Sequence, residues 1–299
     1  MTPIKIGIVG LGKIARDQHV PVINAGKDFK LVATASRSDV SVEVPNFPDL
    51  ATMLNTHPEI KAVALCMPPA PRFDIALAAI EAGKHVLLEK PPGTTVAEVE
   101  KLGEAARQKG VTLFAAWHSR YAAAVQPAKE LLRDRNITAI NIEWREDVEK
   151  WHPGQDWIWE EGGMGVFDPG INALSILTEL VGDDITLERA DLTCPPGKPM
   201  PINANLEMVL NGNIPIRACF DWRPIENEVW SVHVETDKGP ISMLEGGKHL
   251  YLYGRQAQIP ARSEYEAAYD HFEELIAANK SDSDSLSLQL VENALAAES

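Results

Sequence analysis

Two short stretches carry side chains able to move a proton. His85-Val86-Leu87-Leu88 reads as a strand and runs into Glu89-Lys90-Pro91-Pro92, so Lys90 falls at the carboxyl end of a strand, where open α/β sheets place their ligand crevice. The prolines fix the backbone there and make a cis bond an option. An amine held in that place can hydrogen-bond a substrate hydroxyl, and a neighbouring positive ring with partial burial would lower its pKa toward a useful range. Farther along, Phe167-Asp168-Pro169-Gly170-Ile171-Asn172 opens a periodic apolar run. It reads as a helix start with Asp168 at the N-cap and Pro169 at the first helical position. Asp168 and Asn172, at i and i+4, then share a face at the helix's electropositive end. Asn172 can donate and accept hydrogen bonds but cannot titrate. Each residue also has an ordinary reading: Lys90 as a solvated loop lysine, Asp168 as a simple cap.

The elements that must position these groups begin at the N-terminus. Ile4 to Val9 is a β-branched run typical of a buried parallel strand, and it leads straight into Gly10-Leu11-Gly12-Lys13-Ile14-Ala15. In this GxGxxA pattern Gly10 permits a tight turn, Gly12 lets the backbone approach a pyrophosphate, and Ala15 allows close helix packing. The anion would sit at the helix N-terminus. Strand-like runs recur at Leu31 to Ala35, Ala62 to Cys66 and His85 to Leu88, with a helix over Ile75 to Ala82 before the last. Strand, helix and strand at this spacing predict a parallel sheet, a Rossmann fold; the alternative is a tight glycine turn in another α/β fold. At the end of the second strand an acidic side chain would select NAD by bonding the ribose 2′-hydroxyl. The chain instead reads Ala35-Ser36-Arg37-Ser38, and the Ser36 hydroxyl with the Arg37 guanidinium suits a 2′-phosphate. NADP, alone or with NAD, is the predicted cofactor, against the reading of Arg37 as a solvated loop arginine.

Beyond Arg120 the pattern changes to a helix around Ala122 to Arg133 and a strand near Ala139 to Trp144, with no second phosphate-binding turn. This predicts two domains, 1–120 and 121–299. The segment Trp151-His152-Pro153-Gly154-Gln155-Asp156-Trp157-Ile158-Trp159 holds three of the seven tryptophans. Indole rings can pack on the C–H faces of a sugar while their N–H groups bond its oxygens; they can equally form an aromatic satellite core.

With 45% hydrophobic and 24% charged residues the composition is that of a globular protein. A formal charge of −15 argues against nucleic-acid or anionic-membrane partners. Cys66, Cys194 and Cys219 form no CxxC pair, which fits a reducing cytoplasm better than a disulfide framework or a zinc ribbon. No secretory leader is apparent, and no run is long and apolar enough to span a membrane. His118, His152 and Glu146 lack the compact spacing of a metal site, so no metal is expected.

The chain resembles the Gfo/Idh/MocA (glucose-fructose oxidoreductase and inositol dehydrogenase) family. The resemblance is carried by GxGxxA at Gly10 to Ala15, Ala79-Ile80-Glu81-Ala82-Gly83-Lys84-His85-Val86, and Glu89-Lys90-Pro91. It implies a Rossmann domain followed by an α+β domain with a large, mostly antiparallel open sheet, and sugar or polyol oxidation at the crevice between them, with Lys90 at the reaction centre. Many members carry an Asp and, four residues on, a His at the second-domain helix start; here Asp168 is kept and Asn172 replaces the histidine. Gly12 to His19, Trp117-His118-Ser119-Arg120, Trp151 to Gln155 and Phe167 to Leu174 are most similar to members that oxidise aldoses at C1. That implies conversion of D-galactose or L-arabinose to the aldonolactone, with Lys90 and Asp168 catalytic. Glu146, His152, Asn172, His118 and Trp151 would bind sugar, and Gly10, Gly12, Lys13, Ile14, Ser36, Arg37, Pro68 and Glu89 the cofactor. Another sugar, inositol or a sugar oxidised at C3 is the alternative substrate, and a non-catalytic dinucleotide-sensing regulator the alternative class. By the same resemblance a homo-oligomer is expected, and relatives continue somewhat past the C-terminal Leu295-Ala296-Ala297-Glu298-Ser299.

Overall fold

The computed structural model describes residues 2–37 and 42–297; Ser38 of the second-strand motif and the last two residues of the tail lie outside them. The chain forms two compact units, Met1–Trp117 with Tyr265–Ser285, and His118–Glu264 with Leu286–Ser299.

In the first unit, β1 (Ile4–Val9), β2 (Phe29–Ala35), β3 (Asn46–Phe47), β4 (Ala62–Leu65), β5 (His85–Glu89) and β6 (Leu113–Ala116) form one sheet in the order β3-β2-β1-β4-β5-β6. Every pairing is parallel. Such a sheet is covered on both faces, which is why its strands are continuous apolar runs; Ile6, Ile8, Val63, Leu65, Val86 and Leu88 are fully buried. The strand order reverses between β1 and β4, and the carboxyl ends at that switch point are where this architecture binds ligands. The helix after the glycine turn widens to a π turn over Ala15–His19 before its last stretch, Val20–Ala25. Pro21 supplies the reason: it has no N–H for the preceding turn and its ring crowds that turn's carbonyl.

A single cut at residue 120 does not anticipate the return of Tyr265–Ser285 to this unit. The return is driven by aromatic packing and strand edge bonds. Phe272 stacks between Phe29 and Phe114, at centroid distances of 5.6 and 5.8 Å. Asp282 donates to the Leu113 carbonyl at 3.0 Å and accepts from the Ala115 amide at 2.8 Å, lengthening the sheet beside β6.

The second unit contains β7 (Ile137–Arg145), β8 (Ile185–Thr193), β9 (Asn203–Leu210), β10 (Ile214–Asp221), β11 (Val229–Thr236), β12 (Ile241–Leu244), β13 (His249–Leu252) and β14 (Arg255–Gln256), ordered β14-β13-β12-β11-β7-β10-β9-β8. Only β7 and β10 run parallel; the other neighbours are antiparallel. Alternation along β10 buries Ile216, Ala218 and Phe220. The helix Phe167–Val181 packs closely there, since a Cβ on Gly170 would lie 3.0 Å from the Phe220 ring.

This helix corrects one expectation. Its N-cap is Val166, which makes no side-chain capping bond, and Asp168 lies inside the first turn. Carbonyls of the preceding glycine-rich loop and of Pro201 do the capping work: Val166 N–H donates to Pro201 O at 2.7 Å, Phe167 N–H to Met164 O at 3.0 Å and Asp168 N–H to Gly165 O at 3.0 Å. With the helix's first donors already satisfied, the Asp168 carboxylate is not needed as a cap.

Candidate active site

In the first unit Gly10 has φ +88°, and a Cβ there would lie 2.6 Å from the Met67 amide nitrogen. The turn after β1 is therefore packed against the chain leaving β4, at a backbone angle that favours glycine. Gly12 is different: a Cβ on it would meet nothing within 4 Å. The protein's own packing does not demand a glycine at this point, and the bare backbone leaves a cradle at the helix start that suits an incoming pyrophosphate. Ala15 is fully buried, Ile14 is exposed, and Lys13 is paired with Asp17. At the end of β2 the Ser36 backbone is held on both sides, its N–H donating to Phe47 O at 2.9 Å and its carbonyl accepting from Asn46 Nδ2 at 3.0 Å. Arg37 follows on the surface, and Pro68 is likewise exposed after β4.

Lys90 is half-buried, and its backbone is fixed from several directions. Its peptide bond to Pro91 is cis. Its N–H donates to Glu89 Oε2 at 2.8 Å, and the buried Arg72 guanidinium donates to the carbonyls of Glu89 and Pro91 on either side of it and to Met67 O. One arginine thus ties the end of β5 to the end of β4. Glu89, expected at the cofactor, is itself buried. Its Oε1 lies 2.7 Å from Tyr265 Oη and 2.9 Å from His19 Nε2, while His19 Nδ1 lies 2.8 Å from Tyr269 Oη. Burial opposes charge on His19, but Cys66, Tyr269 and Glu89 around it outweigh that and raise its pKa well above the ordinary histidine value. Burial pushes the Tyr269 phenol up to about 12, with His19 acting in the opposite direction. Arg72, His19, Tyr265 and Tyr269 were not singled out from sequence. Only a guanidinium in a helix start otherwise rich in alanine and isoleucine hinted at Arg72, and the tyrosines lie far along the chain.

In the second unit Asp168, His152 and Glu146 come together around Trp222. Asp168 is 5% exposed, and His152 Nε2 stands 3.5 Å from its Oδ2. The His152 ring meets the Trp222 ring edge-on at 5.0 Å. Trp222, fully buried, donates its indole N–H to Glu146 Oε1 at 3.1 Å, and Trp230 donates to Oε2 at 2.7 Å. Glu146 is thereby a buried carboxylate held in a fixed orientation by two indole donors. Trp159 packs on Trp222 at 5.6 Å and Trp151 on Trp230 at 5.9 Å. Glu228 secures the loop by accepting from Trp151 Nε1 at 2.6 Å and by pairing with Lys150. Asn172 is half-buried on the same helix as Asp168. His118 pairs with Glu264, Nδ1 to Oε2 at 2.6 Å. Trp222 and Trp230 were missed in the sequence because each stands outside the tryptophan-rich loop, and only strand pairing sets them beside Glu146. Among the described residues no group of three His, Cys, Asp or Glu side chains is arranged to hold a metal ion, and no helix is long and apolar enough to cross a membrane.

Residues 4–117 match the profile of the Gfo/Idh/MocA oxidoreductase family, described as an NAD-binding Rossmann fold. Over 294 residues the chain is 41% identical to galactose 1-dehydrogenase of Pseudomonas fluorescens, an alignment spanning 97% of this chain and 94% of that protein. The chain belongs to the Gfo/Idh/MocA family. Among solved structures, a D-galactose-1-dehydrogenase protein from Rhizobium etli superposes with a TM-score of 0.95 at 45% identity, covering 99% of this chain and 96% of that one. The 3-ketoreductase KijD10 from Actinomadura kijaniata, solved with NADP and TDP-benzene, superposes at 0.84 with 17% identity over 99% of this chain and 96% of that one, a likeness of fold alone. The family's dinucleotide-binding unit is the one that carries Gly10, Gly12 and Lys90 here.

Proposed function

We propose that this oxidoreductase is an NAD(P)-dependent aldose 1-dehydrogenase that converts D-galactose and L-arabinose to their aldonolactones. The observation that carries the reading is the second-unit cluster of Asp168, His152 and Glu146 walled by Trp222, Trp230 and Trp159. Oriented carboxylates and an imidazole beside indole rings are what a polyhydroxylated ring requires: acceptors for its hydroxyls and apolar faces for its C–H groups. The 41% identity to galactose 1-dehydrogenase supports the choice of sugar. Galactose is arabinose with an added hydroxymethyl, and a pocket discriminates one small group only modestly, so both sugars are substrates.

Gly10, Gly12 and the helix start at Lys13 and Ile14 hold the pyrophosphate of the dinucleotide, Ser36 and Arg37 the 2′-phosphate, and Pro68 its nicotinamide end. The bound dinucleotide supplies the hydride acceptor. Lys90 and Asp168 are the two groups that take the proton of the C1 hydroxyl. Glu146, His152 and Asn172, with Trp151 and His118, bind the other hydroxyls and set the sugar's orientation.

Arg37 decides the preference between NADP and NAD. Arg37→Ala is expected to lower kcat/KM for NADP by about 10- to 100-fold, the loss of one or two charge-assisted hydrogen bonds, with little change for NAD. Initial rates with each cofactor at saturating galactose check this; equal loss with both would remove Arg37 from the 2′-phosphate site.

A further inference from the structure

A carboxyl group that takes a proton in every turnover must return it to water, and Asp168 is 5% exposed. The group set against it is His152, whose Nε2 lies 3.5 Å from Asp168 Oδ2, with side-chain exposure of 21% against 7% for the aspartate. The other ring nitrogen fixes what this histidine can do. Its Nδ1 stands 3.4 Å from Gln155 Oε1, and the same oxygen accepts the Trp157 indole N–H at 3.2 Å. An indole nitrogen only donates, so the Gln155 atom turned toward both rings is the amide oxygen, and His152 Nδ1 must carry a hydrogen to face it. In the neutral ring the lone pair is then on Nε2, toward Asp168. In the imidazolium both N–H groups face acceptors, Gln155 Oε1 and the Asp168 carboxylate. The ring is built to receive a proton from the Asp168 side and to be stabilised once it has it. Trp222, anchored by Glu146, holds the ring in this pose from the side.

We propose that His152 relays the substrate proton from Asp168 to solvent, an inference that rests on the reading of Asp168 as proton acceptor. The Asp168 Oδ2–H bond breaks as His152 Nε2–H forms, leaving a carboxylate beside an imidazolium. A water that displaces the 3.4 Å contact with Gln155 Oε1 then accepts the Nδ1 proton as that N–H bond breaks, and exchange of the remaining ring proton with water restores the Nδ1–H tautomer beside the carboxylate. The separation of 3.5 Å is longer than the roughly 2.6–3.2 Å of direct transfer, and catalytic hydrogen bonds of this kind tighten when substrate binds. His152 thereby supplies the histidine that the resemblance leads one to look for at Asn172, from a loop instead of from the same helix.

Chemical rescue tests the relay. His152→Ala should lower kcat with galactose and NADP by about a hundredfold, and free imidazole in the assay should restore much of the loss in a concentration-dependent way. His152→Gln, which fills the space but cannot accept a proton, should be equally slow, and melting curves establish that both variants fold. Imidazole should do nothing for native enzyme or for Asp168→Asn. Native-like kcat in His152→Ala, a rise in KM alone, or a loss that imidazole does not restore would each overturn the relay. Native-like turnover in Asp168→Asn would instead overturn the underlying role of Asp168.

Discussion

Lys90→Met is expected to lower turnover about a thousandfold while dinucleotide affinity stays close to that of the native protein. The substitution removes the amine but nearly preserves side-chain length and apolar stem, so it isolates the proton-handling role, for which positioned acid–base groups contribute roughly 10²- to 10⁴-fold. The backbone that holds residue 90 is anchored through other groups: its own N–H on Glu89 Oε2 and the flanking carbonyls on Arg72. None of these contacts uses the amine, so the loop should keep its course. Stopped-flow rates combined with fluorescence titration of the cofactor separate the two effects. A variant with native kcat would remove Lys90 from the chemistry, and one that no longer bound dinucleotide would make it a binding residue.

Arg72→Leu is expected to cost about 3–5 kcal/mol of stability and to slow turnover as well. A buried guanidinium needs hydrogen-bond acceptors, and here its two Nη groups donate to the carbonyls of Met67, Glu89 and Pro91. Leucine removes the charge's desolvation cost but strands these acceptors, at about 1–3 kcal/mol for each one left buried and unsatisfied. The net effect is unfavourable because three acceptors lose one donor group. The same loss frees the two peptides that flank Lys90, which ties stability to catalysis at this point. Urea unfolding curves and kcat measured on the same preparation check both parts. An unchanged midpoint with unchanged kcat would show that the loops hold themselves.

The first unit was largely legible in sequence because its signals are local. A β-branched strand, two glycines with different duties and a strand ending in Glu89-Lys90 each speak within a few residues, and the parallel sheet follows from their order. The return of Tyr265–Ser285 was not legible, since Phe272 finds Phe29 and Phe114 only in three dimensions. In the second unit the tryptophan-rich loop and Asp168 stood out, but Asp168 was misread as a cap because Asp-Pro before an apolar run is the usual cap signature. The local rule lost to loop and Pro201 carbonyls that had already satisfied the helix's first donors. Neither Trp222 nor Trp230 had a signal at all: their value lies in being two indole donors on one carboxylate, a fact of strand pairing across β7, β10 and β11.

The central claim is tested most directly by following the growth of reduced-nicotinamide absorbance when the purified protein is given NADP or NAD with D-galactose, L-arabinose, D-glucose, D-xylose and myo-inositol in turn. Reduction with galactose and arabinose, faster with NADP and weak or absent with inositol, is the predicted result. Silence with every sugar while the dinucleotide still binds would contradict the account and make the protein a dinucleotide-sensing module or an oxidoreductase of another substrate.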